Sequence, residues 1–318
     1  MHYSILYRGP LSSCNYGCDY CPFAKRNETY EQLESDRVAL ARFINWCEAQ
    51  SASGCELSVL FTPWGEALIR PWYQEALARF TQMPHVRRAA IQTNISCHLK
   101  WVDGCKLDRL ALWCTYHPTE TTRQRFLDRC YELDQRGVRY SVGIVGLKAH
   151  VEDAKWLRER LPESVYLWVN AFKRSENYYD APTFDALTKI DPLFPINNVR
   201  HASRGNACRT GHEVFSVDGD GAMRRCHFIK EVIGNIYDEK WEATLSPRPC
   251  SAETCGCHIG YVHMNKLELY ELFGDGVLER IPANQIWRQM SDCNHIAKAA
   301  SPPLTNRRVT LPQVSEIG

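Results

Sequence analysis

Apolar positions in the first two hundred residues fall into two alternating rhythms. Short dense runs at Ser4–Tyr7, Leu57–Phe61, Ala89–Gln92, Ala111–Thr115, Tyr140–Val145 and Val165–Val169 predict strands. Between them the apolar spacing widens to that of helix faces. Leu33, Leu40, Ile44 and Cys47 share one face. Trp72, Ala76 and Phe80 share another, with Pro71 at a helix start. Phe126, Cys130 and Leu133 mark a third helix that stops at Gly137, and Ala154, Leu157 and Leu161 a fourth that ends at Pro162. Strands interleaved with helices imply parallel pairing, because parallel neighbours need crossover connections. An open doubly wound sheet and a partial barrel both satisfy this pattern.

The rhythm changes near residue 180. Asp191-Pro192-Leu193-Phe194-Pro195 reads as a proline-punctuated linker. Val214–Val217, the turn Asp218-Gly219-Asp220-Gly221 and a second short run to Cys226 read as a β-hairpin. A short helical pattern surrounds Leu267–Phe273, followed by a proline-containing tail.

Composition sharpens the picture at one point. The 318 residues carry 38 Lys and Arg against 37 Asp and Glu, a balance that disfavours a general nucleic-acid or acidic-membrane binder. No run of apolar residues is long enough to span a membrane. Fifteen cysteines, however, are far more than a chain of this size needs for packing. The first residues lack a secretory n-region and h-region, so the expected compartment is reducing and cytoplasmic. Clustered cysteines there are metal ligands or reactive thiols.

Cys14, Cys18 and Cys21 form a C-x3-C-x2-C group directly after the first strand, with Gly17 easing the loop. In parallel α/β folds, active sites collect at that strand edge. A structural zinc site takes four ligands, and no fourth donor lies nearby. A [4Fe–4S] cluster held by three thiolates keeps one iron open to a small molecule. This spacing resembles the signature of the radical S-adenosylmethionine (SAM) superfamily, including the aromatic Tyr20 before the third cysteine.

That resemblance implies a partial (β/α)6 TIM-like barrel, SAM held at the open iron, and a 5′-deoxyadenosyl radical that removes hydrogen from a substrate C–H bond. It assigns Cys14, Cys18 and Cys21 as cluster ligands. Thr62-Pro63-Trp64-Gly65-Glu66-Ala67 resembles the family's Gly-Gly-Glu-Pro motif through Gly65 and Glu66, with Trp64 and Ala67 departing from it. Glu66 can also simply start the next helix. Thr93 and Asn94 resemble Thr-Asn-Gly, with Ile95 in place of the glycine. Gly146 on strand five and Asn170 at the end of strand six complete the expected cofactor contacts. Ile5–Gly9, Cys21–Arg26, Phe61–Glu66 and Cys257–Tyr261 resemble an uncharacterised bacterial radical SAM subfamily.

Cys208, Gly221 and Cys226 in a C-x12-G-x4-C arrangement resemble the opening of the SPASM and twitch auxiliary-cluster domains, and Cys250, Cys255 and Cys257 supply further ligands. A second [4Fe–4S] cluster is therefore expected, with a four-thiolate zinc site as the alternative. The resulting division is 1–198 for the core, 199–270 for a small α+β auxiliary domain, and 271–318 for a helix and tail. His227, His258 and His263 read as surface residues or supports behind the ligands. Cys47 and Cys130 read as core, and Cys114 as core or as a hydrogen donor facing a barrel interior. The implied partners are SAM, an electron donor such as flavodoxin or ferredoxin, and a peptide or protein substrate. A sugar or cofactor precursor is the second substrate class, and a zinc-stabilised binding protein without catalysis is the alternative function.

Overall fold

The computed structural model of the chain describes residues 1–23 and 27–283. The proline-containing tail, with Cys293, and Ala24, Lys25 and Arg26 of the quoted motif lie outside the described residues.

Six strands lie side by side in chain order, and every neighbouring pair is parallel. They are β1 (His2–Arg8), β2 (Glu56–Phe61), β3 (Val86–Thr93), β4 (Leu110–Tyr116), β5 (Arg139–Gly146) and β6 (Leu167–Ala171). Helices α1 (Tyr30–Ala49), α2 (Pro71–Gln82), α3 (Arg123–Gln135) and α4 (Val151–Arg160) fall in the connections where the apolar spacing placed them. Their ends have local causes. A Thr29–Gln32 capping box opens α1, Pro71 opens α2, and Gly137 leaves α3 in the left-handed region at φ 70°.

The stretch after 180 is more structured than its prolines imply. It holds α5 (Ala181–Ile190) and α6 (Phe194–Asn197), and Asp191 between them is fully buried. The Asp191 carboxylate accepts from Tyr166 Oη at 2.6 Å, Val169 N–H at 2.8 Å and Leu193 N–H at 2.9 Å. The expected linker is thus a locked corner against β6, because its buried carboxylate satisfies backbone donors on both sides.

The hairpin forms from β8 (Val214–Asp218) and β9 (Ala222–Arg224), after the two-residue β7 (His201–Ala202). β8 also pairs parallel with β1, so the sheet runs β10-β9-β8-β1-β2-β3-β4-β5-β6, with β10 being Val232–Asn235. β11 (Thr254–Cys255) pairs antiparallel with β7 as a separate ribbon. The architecture is mixed α/β, dominated by its parallel sheet.

Side-chain alternation sorts the two faces of that sheet. Ile5, Tyr7, Val59, Phe61, Ile91, Leu112, Cys114, Val142 and Ile144 join the helices in one apolar cluster. Leu6, Leu60, Ala90, Trp113 and Trp168 join a second cluster. That second face is covered by α7 (His258–Tyr261), α8 (Leu269–Phe273) and the turn that follows. Burial on both faces explains why the strands read as continuous apolar runs. Cys114 faces the helices and is a packing residue rather than an interior hydrogen donor.

Gly143 on β5 shows how closely the second face is packed. A Cβ there would lie 1.9 Å from the Trp168 ring. Gly143→Ala is expected to lower stability by about 1–3 kcal/mol through overpacking. Urea unfolding followed by circular dichroism checks this, with the midpoint falling at unchanged slope.

Candidate active site

The C-terminal ends of β1 to β6 open on a cleft of about 470 Å³. Cys14, Cys18 and Cys21 line it, as do Tyr20, Gly65, Glu66, Thr93, Asn94 and Asn170. Gly146 is set apart: its carbonyl accepts the Tyr179 hydroxyl at 2.6 Å, and Val145 lines the cleft in its place.

The cysteine loop is held from several directions. The Ser12 and Ser13 N–H groups donate to the Glu28 carboxylate at 2.9 and 3.0 Å, and the Ser13 hydroxyl bonds it too. Asp36, fully buried on α1, accepts from Leu11 N–H, Trp72 Nε1 and Tyr73 Oη. The loop after β2 comes closest. The Glu66 N–H donates to the Ser13 carbonyl at 3.1 Å, and a Cβ on Gly65 would sit 1.7 Å from that same oxygen. Only a residue without a side chain fits between the two backbones.

Glu66 is 2% exposed and ties three segments together. It accepts from Leu68 N–H at 3.0 Å, which opens the turn Ala67–Ile69, from Thr93 Oγ1 at 2.8 Å, and from the Asn94 N–H. Glu66 thus starts the next turn and lines the cleft. Burial raises its carboxyl to about 7, against the pull of these three donors. The Asn94 amide then reaches Asn15 Oδ1 at 3.1 Å on the cysteine loop. Ile95, where the resemblance has glycine, takes φ 48°, a strained angle for a β-branched residue. Trp64, in place of the motif's first glycine, packs its ring on Phe23 and under the Arg8 guanidinium, 4.2 Å from the ring centroid.

His117, just beyond β4 on the strand edge where cofactor or substrate contacts are expected, lines the cleft. Its Nδ1 lies 3.3 Å from Cys18 Sγ and 3.0 Å from Tyr20 Oη, and its ring stacks on Tyr20. Burial lowers His117 to about 4, so the imidazole is neutral at pH 7. Burial also pushes the Cys14 thiol up to about 11 and raises Cys18. Thiols in such surroundings ionise when a cation or metal group compensates them.

The donor set is a soft one, of the kind that holds an iron–sulfur cluster or zinc. Cys14, Cys18 and Cys21 are free thiols on one loop, and the charges of Cys18 and Cys21 are felt at Cys14. Among the described residues, no three His, Cys, Asp or Glu groups converge tightly enough for a single metal ion.

A second group of thiols lies behind the cleft. Cys226 feels Cys208 and Cys250, and Cys255 feels Cys226 and Cys208. Burial raises Cys226 to about 11 and Cys255 to about 12. Cys257 also neighbours Cys255, but it lines the cleft and is exposed to it. His258 and His263 are 3% and 1% exposed, so neither is a surface residue. His263 meets Tyr270 Oη at 2.8 Å, while His258 lines the cleft.

Two outcomes follow from this geometry. Gly65→Ala is expected to displace the cysteine loop: circular dichroism stays native, while alkylation of Cys14 and Cys21 in the metal-free protein changes rate severalfold. The raised Glu66 carboxyl favours the folded state fully below about 4.5 and loses that contribution as pH rises through about 7. Wild type should therefore lose stability relative to Glu66→Gln across that window, as read by urea midpoints at pH 5 and 8.

No family model and no curated protein matches the chain. Solved structures do. Hexahistidine-tagged anSMEcpe with bound AdoMet (SAM) aligns with a TM-score of 0.52 at 15% identity, covering 85% of this chain and 84% of that one. Native anSMEcpe with bound AdoMet and Kp18Cys peptide gives 0.51 at 15% identity, over 78% and 81%. Streptococcus suis SuiB gives 0.51 at 13% identity, over 76% of this chain and 65% of that one. At these identities the likeness is one of architecture, and these neighbours are radical SAM enzymes. The protein therefore has the fold of the radical S-adenosylmethionine enzymes.

Proposed function

We propose that this chain is a radical SAM enzyme whose sheet acts as a partial (β/α)6 barrel, with residues 1–198 forming the core. The observation that carries the reading is the convergence of Cys14, Cys18, Cys21, Tyr20, Gly65, Asn94 and Asn170 on one cleft at the C-terminal strand edge. When bound, a [4Fe–4S] cluster and SAM supply one-electron cleavage of the sulfonium and a 5′-deoxyadenosyl radical for hydrogen abstraction. Cys14, Cys18 and Cys21 would hold the cluster, with SAM beside it in the cleft.

The other residues position and shield. Glu66 fixes the β2 and β3 loops against the cysteine loop, so the cofactor meets a preformed surface. Tyr20 and the neutral His117 wall one side without adding charge. Asn170 offers an amide at the rim for ribose or carboxylate. Cys208, Cys226, Cys250 and Cys255, in the 199–270 segment, form the best-placed set for a second cluster, with Cys257 as the fifth candidate. We assign the substrate to the peptide class, supported by the peptide bound in one anSMEcpe structure of the same fold. A flavodoxin or ferredoxin in a cytoplasmic setting is the fitting electron source. Among the described residues no helix is long and apolar enough to cross a membrane.

Anaerobic reconstitution followed by an assay for 5′-deoxyadenosine tests the function. Wild type is expected to release it on reduction. Replacing Cys14, Cys18 and Cys21 by alanine should abolish release and remove about half of the bound iron. A triple variant that still forms 5′-deoxyadenosine, or a wild type that binds zinc and no iron, overturns the proposal.

A further inference from the structure

Resting on the enzyme reading, we infer that the floor of the cleft is an oxyanion subsite for the substrate, where Arg280, with His258 beside it, receives a carboxylate or phosphate group. Arg280 is 1% exposed, yet its Nε and Nη1 have no hydrogen-bond partner among the described residues. His258, 3% exposed, has its Nε2 unpartnered in the same way. Both line the cleft. Both lie against Trp113, the guanidinium 5.7 Å and the imidazole 5.5 Å from its ring centroid. Buried polar groups in folded proteins are nearly always paired, so two orphans at one place point to a ligand that completes them.

The surrounding structure places the guanidinium deliberately. It lies over Trp168, 4.6 Å from the ring centroid. The turn that carries it is tight: the Ile281 N–H donates to the Gly276 carbonyl, and a Cβ at Gly276 would lie 1.8 Å from the Ile281 oxygen. Next to it, the fully buried Glu279 meets Arg139 Nε at 2.9 Å and Arg88 Nε at 3.2 Å, and its carbonyl accepts from Ser141 Oγ. Arg280 itself takes φ 56°, a strained angle that persists only where neighbours over-determine it.

Charge selects the ligand. Arg8, Lys173, Arg174 and Arg280 line the cleft against one carboxylate, Glu66, which is already bonded to three donors. Lys173 donates to the Asn197 and Gly256 carbonyls, and Arg174 to the Tyr20 carbonyl. Asp191 is near enough to sense Arg280, but no hydrogen bond joins them, and its oxygens accept from Tyr166, Val169 and Leu193. A planar guanidinium stacked on indole presents paired donors to an oxyanion, which lysine does not. For a peptide substrate this is a side-chain or terminal carboxylate; a phosphorylated substrate offers the same chemistry.

Calorimetric titration of the reconstituted holoenzyme, with SAM present, by glutarate and by inorganic phosphate tests the inference against chloride at equal ionic strength. Wild type should bind at least one oxyanion probe, and the tighter one names the substrate's anionic group. Arg280→Met should weaken it at least tenfold while SAM affinity measured separately stays unchanged. His258→Phe, which keeps the ring contacts, should weaken it severalfold and serves if Arg280→Met does not fold. No oxyanion binding by wild type, or equal binding by the folded variants, overturns the subsite. So does a loss of SAM affinity in Arg280→Met, which assigns the guanidinium to the cofactor's own carboxylate. These readouts need no turnover, so a failed 5′-deoxyadenosine assay and a failed subsite are separate results.

Discussion

Two backbones meet at the centre of this protein where a side chain does not fit. The Ser13 carbonyl lies against Gly65, and the neighbouring Glu66 N–H bonds it. Through that contact the loop after β1, which carries the three clustered thiols, is fixed to the loop after β2. Glu66 extends the connection to Thr93 and Asn94 after β3, and Asn94 returns it to Asn15. Three successive strand ends thus form one surface. Parallel register brings those ends to the same edge, and the glycine lets them close.

The opposite face of the sheet depends on a different constraint. Residues 258–278 lie across Leu6, Leu60, Ala90, Trp113 and Trp168, so the inner face is packed and its upper end is left as the floor of the cleft. Glu279 anchors this segment through Arg88 and Arg139, cations that belong to two strands of the sheet. Burial raises the Glu279 carboxyl while both arginines lower it, which is how one charged residue can be a tether in an apolar interior. The same turn then carries Arg280 to the cleft.

Much of the frame was readable in advance. Six strands and four helices fall near their expected positions because apolar runs and three-to-four spacing report directly which side chains are buried. The sixth strand runs Leu167–Ala171, later than its apolar run suggests, because Val165 and Tyr166 precede the ladder and are nonetheless buried. The cysteine loop was legible because three thiols at fixed spacing are a local chemical pattern. The partnership of His117 with Cys18 and Tyr20 was not, since nearly a hundred residues separate them. The parallel pairing of β8 with β1 was hidden for the same reason: a hairpin signal specifies its own two arms and says nothing of a third strand.

By itself, the order of residues determined the alternation of strands and helices, the thiol loop at the first strand's end, and the excess of cysteines over any packing need. Those properties rest on local propensity and on spacing within a few turns of chain. Tertiary structure alone decided that Gly65 meets Ser13, that Gly146 turns from the cleft, and that Arg280 enters it. Each of these depends on which distant backbones approach and which buried polar atoms remain unpaired, and only the closed fold settles both.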